Sequence, residues 1–169
     1  MLSMQVHSIV QWMSESEFNH YIVTHSYVWP TLESLHFIGL CLLFGSLLLI
    51  DLRALGVAQT VPFSAFEKFI IVSITGFLIN LTTGIAFLFG DPDRYFVNPS
   101  FQLKMLCILL ALLNALYFSL RMKKHSESFS PEQGESDMAL PVDMKIAAGL
   151  SLVLWVAVIV FGRFIPYVE

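Results

Sequence analysis

From Phe37 to Ile50 the chain reads FIGLCLLFGSLLLI and carries no charge, while Glu33 and His36 precede it and Asp51 and Arg53 follow it. With its flanks, from Trp29 to Gly56, this stretch approaches the roughly 20 residues that a helix needs to cross a hydrocarbon core. Glu33 and His36 stand one helical turn apart and share a face. An ionisable pair at the mouth of a membrane span is the sequence's main functional lead.

Composition extends that reading to the whole chain. Only 13% of the 169 residues are charged and 56% are hydrophobic, with a mean hydropathy of +0.73. A soluble domain carries about 25% charged residues, so this is an integral-membrane composition whose first partner is the lipid bilayer. The length suits one compact domain, a small helical bundle. A net charge of −4 with no basic patch points away from nucleic acid. Cys41 and Cys107 fall inside apolar runs, where reduced thiols act as small hydrophobes. They have no metal-ligand spacing. The first residues, MLSMQVHSIVQWMSESEF, lack Lys and Arg and are too polar for a signal-peptide core.

The pattern divides into an N-terminal interfacial segment, residues 1–30, and a four-helix transmembrane domain, 31–169. In the first, Val6, Ile9, Val10 and Met13 recur at helical spacing, which fits a short amphipathic helix at the membrane surface. Trp12, Tyr21, Tyr27 and Trp29 suit the interface, and a loosely ordered tail is the alternative. Spans are expected at about 31–52, 66–90, 101–121 and 144–164, with a flexible polar loop at 122–143. Pro30 fits the first turn of the first span. At about 100° per residue, Glu33, His36, Gly39, Leu43, Ser46 and Ile50 line one stripe, whose small residues favour close helix packing. The second span holds Gly76, Asn80, Thr82, Thr83 and Gly84. Gly90-Asp91-Pro92-Asp93 is a turn, and Asn98-Pro99-Ser100 opens the third span.

Four spans place both termini on one side. That side holds Arg94, Lys104 and Arg163; the other holds Arg53, Lys68, Arg121, Lys123, Lys124 and Lys145. The excess of basic residues assigns the second side to the cytoplasm, so both termini are periplasmic in a bacterial inner membrane.

This orientation gathers Glu33, His36, Lys104 and Arg163 near the outer surface. One reading is a structural polar clamp in which Glu33 pairs with Lys104. The functional reading takes His36 as a metal ligand, the axial ligand of haem b, with Lys104 and Arg163 offered to the propionates. A bis-histidine site then needs His25 folded inward or His36 of a second copy. Glu-x-x-His also occurs in di-iron bundles, but those use two copies and further glutamates. At the inner end, Arg53 is expected to reach the headgroups and Asp51 to pair with Lys68 or Lys145. Asn80 and Asn114 are expected to bond between helices, with a quinone carbonyl as the alternative partner.

Glu33-Ser34-Leu35-His36-Phe37-Ile38-Gly39, Gly45-Ser46 and Asp51-Leu52-Arg53-Ala54-Leu55-Gly56 together resemble a family of small uncharacterised bacterial membrane proteins. Thr83-Gly84, Asn98 with Phe101 and Lys104, Leu113-Asn114-Ala115 and Gly162-Arg163-Phe164-Ile165 extend the likeness to all four spans. The resemblance implies a four-helix inner-membrane protein with no assigned activity. The early Leu-His-x-x-Gly is distantly similar to membrane b-type cytochromes and copper-resistance membrane proteins. Where such proteins place a histidine near the end of the third helix, this chain reads Tyr117-Phe118-Ser119. The expectation is therefore an all-α, four-transmembrane-helix bundle that binds haem or quinone in electron transfer. The competing functions are a non-enzymatic subunit packed on a membrane partner protein or a homodimer, and a small transporter or proton relay.

Overall fold

The structure, a computed structural model, describes residues 2–127 and 140–168. Among the described residues every regular element is helical: α1 (Leu2–Ser14), α2 (Glu17–Thr24), α3 (Val28–Ala54), α4 (Phe66–Gly90), α5 (Pro92–Val97), α6 (Pro99–Glu127) and α7 (Val142–Phe164). Four stretches are long and apolar enough to cross a membrane: Val28–Ala54, Phe66–Gly90, Pro99–His125 and Val142–Tyr167. The protein is thus an all-α, multi-pass membrane bundle.

Several boundaries differ from the sequence expectation, each for a local reason. α3 starts at Val28 because Pro30 occupies its first turn, where a missing N–H costs nothing, and the Thr31 amide bonds the Tyr27 carbonyl at 3.3 Å. The turn at Asp91 holds the short helix α5, capped by the Asp91 side chain and with Pro92 at its start. The expected loop at 122–143 is helical at both ends, through Glu127 and from Val142; its residues 128–139 lie outside the described residues.

The N-terminal segment is two helices. The Ser16 hydroxyl donates to the Met13 carbonyl at 2.6 Å and accepts the Asn19 amide at 3.1 Å, ending α1 and capping α2. Met13 and Ile22 turn inward while Ile9, Trp12, Phe18 and Tyr21 stay exposed. Asn19 Nδ2 donates to the Phe89 carbonyl at 2.7 Å, satisfying an orphan at the C-terminal end of α4. The segment therefore docks across the end of the bundle and leaves an apolar outer face.

Four membrane helices form two antiparallel hairpins, α3–α4 and α6–α7, joined by a seam between α3 and α7. The first hairpin closes at backbone contact. A Cβ built on Gly76 would lie 2.5 Å from the Leu43 nitrogen and 2.6 Å from the Gly39 carbonyl oxygen. One on Gly39 would lie 3.0 Å from the Gly76 carbonyl oxygen. Lipid gives helices no hydrophobic incentive to associate, so this close packing supplies the cohesion. The buried residues of α3 include Gly39, Leu43, Ser46 and Ile50, one stripe of the wheel. The joint between hairpins centres on Leu43, Ala111, Trp155 and Val158, with Phe77 of α4 packed against them.

Two polar staples fix the second hairpin. Asn98 Oδ1 accepts the Ser100 and Phe101 amides and caps α6, while Nδ2 donates to the Ile165 carbonyl at 2.9 Å after α7. At the opposite end Asp143 Oδ2 accepts from Arg121 Nη2 at 2.6 Å and from the Tyr117 hydroxyl at 2.8 Å.

Gly76→Ala should cost about 1–3 kcal/mol by overpacking and lower the thermal midpoint in detergent by on the order of 5 °C. Gly149 has nothing within 4 Å of its would-be Cβ, so Gly149→Ala should leave the midpoint unchanged. Equal effects of the two substitutions would refute the close crossing.

Candidate functional site

At the end carrying α1, α2 and α5, the structure separates residues that the sequence grouped together. Glu33 is exposed and accepts from Trp29 Nε1 at 3.2 Å, one turn earlier on its own helix. Arg163 is also exposed; its Nη2 donates to the Tyr167 hydroxyl at 3.2 Å, and its guanidinium lies 5.4 Å from that ring's centre. Lys104 lies along Gly162, where a Cβ would come 3.4 Å from Nζ, and it forms no ion pair with an acidic side chain among the described residues. The Glu33–Lys104 clamp is therefore not formed. Tyr95 on α5 is half-buried here, and burial first, then the Asp91 carboxylate, pushes its phenol up to about 12.

His36 is half-buried against α4. Its Nδ1 lies 2.7 Å from the Thr83 hydroxyl, which itself donates to the Ile79 carbonyl at 2.8 Å. That hydroxyl has spent its proton on the Ile79 carbonyl, so it accepts the His36 Nδ1–H. Phe87 stands edge-on to the imidazole at 5.5 Å, and the Lys104 ammonium is within electrostatic reach. Asn80, in the amide orientation that satisfies both its groups, donates to the His36 carbonyl at 2.7 Å and accepts from the Leu40 amide at 3.0 Å.

One histidine with an oriented ring is half of a bis-histidine haem site, and no second half is beside it. His25 bonds its own helix through the Tyr21 carbonyl and is flanked by the Tyr21 and Tyr27 rings. His7 and His20 are exposed on α1 and α2. Among the described residues of one chain, no second histidine stands beside His36. Among the described residues no three His, Cys, Asp or Glu side chains converge as a metal site.

The opposite end carries the larger feature. α3 ends in a Schellman turn: the Val57 amide bonds the Leu52 carbonyl at 2.9 Å, the Gly56 amide bonds the Arg53 carbonyl at 3.0 Å, and Gly56 takes φ +86°. The turn folds the following loop back over the helix end, and Arg53 Nε donates to the Val61 carbonyl at 2.7 Å. Arg53 is buried at 9% exposure and is a loop clamp, not a headgroup anchor. Asp51 pairs with neither Lys68 nor Lys145, both of which are exposed. Asp51 is 4% exposed, and its Oδ2 is buried with no hydrogen-bond partner.

That carboxyl lines a cavity of about 520 Å³. α3 and α7 form the floor, with Ile50, Asp51, Ala147 and Ser151. α4 supplies one wall, including Phe66 and Ile70, and α6 the other, including Asn114, Ala115 and Phe118. The cavity exists because α4 and α6 do not pack along a seam, while each packs on its own hairpin partner. Asn114 Nδ2 donates to the Ala147 carbonyl at 2.9 Å, holding α6 to α7 on the cavity side. Sequence reasoning missed Ser151, which lines the cavity floor with Asp51. Its signal was the small-residue face of α7, where Ala147, Ala148, Ser151, Trp155 and Val158 recur at helical spacing.

No protein-family profile, curated protein or solved structure matches this chain.

Thr83→Val should cost about 1–2 kcal/mol in thermal unfolding, because it strands the His36 Nδ1–H. In a His36→Ala background the same substitution should cost nearly nothing. Equal costs in both backgrounds would remove the His36–Thr83 bond from this account.

Proposed function

We propose that this protein is a membrane-embedded carrier of a small, lipid-soluble molecule, which enters from the bilayer between α4 and α6 and docks its polar group on Asp51. One observation carries this reading: Asp51, which is 4% exposed and whose Oδ2 has no hydrogen-bond partner, belongs to the lining of a largely apolar cavity. An unsatisfied buried acceptor costs roughly 1–3 kcal/mol, and more when charged. Occupied by a donor, the same group binds and selects. The volume lies within the roughly 300–1,000 Å³ of ligand pockets, which likewise combine apolar walls with a few polar groups. Ionisable residues at membrane depth commonly mark substrate or ion paths.

By the six-to-three distribution of basic residues, the cavity sits in the cytoplasmic half of a bacterial inner membrane, with both termini periplasmic. Among the sequence-derived options this favours the small transporter. The haem-based module lacks a second ligand at His36, whereas the Asp51 cavity has space, apolar walls and an open polar contact.

A short alkyl diazirine photolysed with the protein in phosphatidylcholine nanodiscs tests the proposal. Label should concentrate on the peptides bearing Phe66–Ile70 and Phe118–Met122, and Ala115→Phe, which fills the cavity from α6, should abolish that enrichment. Label spread evenly along the lipid-facing leucines of α6, and unchanged by Ala115→Phe, would count against it.

A further inference from the structure

The chemistry of the cavity floor narrows the ligand class; this step rests on reading the cavity as a ligand site. One donor there is committed, since Asn114 Nδ2 bonds the Ala147 carbonyl. The lining holds the Asp51 carboxyl, whose Oδ2 has no hydrogen-bond partner, together with the side chain of Asn114. A ligand that offers N–H or O–H groups gives that oxygen a donor.

Charge sharpens the choice. No basic side chain among the described residues pairs with Asp51. The rim holds Glu67 and Lys123, both exposed, which balance each other and leave the buried carboxyl uncompensated. An ionised carboxylate away from water is costly unless a cation meets it, and a charge-assisted N⁺–H···O⁻ bond is roughly twice as strong as a neutral one. Phe66 and Phe118 stand on facing walls, and aromatic faces attract organic cations.

We propose that the Asp51 cavity is a site for lipophilic amines, with the ammonium held between the Asp51 carboxylate and the Asn114 side chain and the apolar body lodged between the walls of Phe66 and Phe118. Asp51 selects for charge, and the apolar walls select for a hydrocarbon body.

Two probes with one body and different heads, 2-(1-naphthyl)ethylamine and 2-(1-naphthyl)ethanol, separate the elements of the proposal. Binding is measured at neutral pH on full-length protein in zwitterionic phosphatidylcholine nanodiscs, with empty nanodiscs subtracted. The amine should bind saturably and at least about tenfold more tightly than the alcohol, roughly 1.4 kcal/mol. Asp51→Asn should bring the amine to the alcohol's affinity, and Ala115→Phe should abolish both. If the alcohol and amine bind alike in the unsubstituted protein and both are lost in Ala115→Phe, the cavity stands and the amine class is overturned. If neither probe binds saturably, both readings fall. An amine preference that survives Asp51→Asn overturns the role of Asp51. Should Asp51→Asn lose its melting transition, the amine–alcohol ratio together with Ala115→Phe decides the matter, since that substitution removes the space and keeps the carboxyl.

Discussion

The contact between Gly39 and Gly76 sets the arrangement of the rest. Two backbones meet where neither has a side chain, and lipid provides no other strong reason for α3 and α4 to stay together. Held this close to α3, α4 does not settle along α6, and Phe77 reaches the joint between hairpins only as a side chain. Below Phe77, toward the end where α3 stops and α4 begins, the space between α4 and α6 stays open as the cavity. Close packing at one level of the bilayer thus leaves an open chamber at another.

The polar residues divide by what they hold. Asn98, Asn114, Asn80 and the Arg121–Asp143 pair tie helix to helix or helix to turn, and each finds its partners within the bundle. Arg53 belongs with them, since the Gly56 turn brings the Val61 carbonyl to it. His36 is oriented by Thr83, with Nε2 outside that bond. Asp51 differs from all of these: it is as buried as the core, and its Oδ2 has no hydrogen-bond partner. Structural polar groups in a membrane are satisfied, so one that is not satisfied points to function.

Much of the fold was legible because the bilayer imposes simple rules. The uncharged run from Phe37 to Ile50 could only be a buried or lipid-facing helix, and the wheel placed Gly39, Leu43, Ser46 and Ile50 on the face that α3 buries. Helix ends were less legible where a side chain decided them, as Ser16 does between α1 and α2 and Asp91 does before α5. The site was the least legible part. Glu33, His36, Lys104 and Arg163 share a depth, but depth is not proximity, and the direction of each side chain on its own helix separates Glu33 and Arg163 from the other two. Asp51 and Arg53 were both expected to anchor the inner end, each with a partner of its own, Arg53 at the headgroups and Asp51 at Lys68 or Lys145. Their spacing along the helix turns them to different surroundings, one to the cavity and the other to the loop.

The separation of α4 from α6 at the level of Asp51 is the claim on which the rest stands, and double electron–electron resonance in lipid nanodiscs measures it. Spin labels at Ile71 on α4 and Leu120 on α6 should give a longer distance than Ile71 with Leu49 on α3, or Leu120 with Ile146 on α7. An Ile71–Leu120 distance as short as those of the two packed pairs would mean a closed bundle with no lateral opening, and would contradict the account.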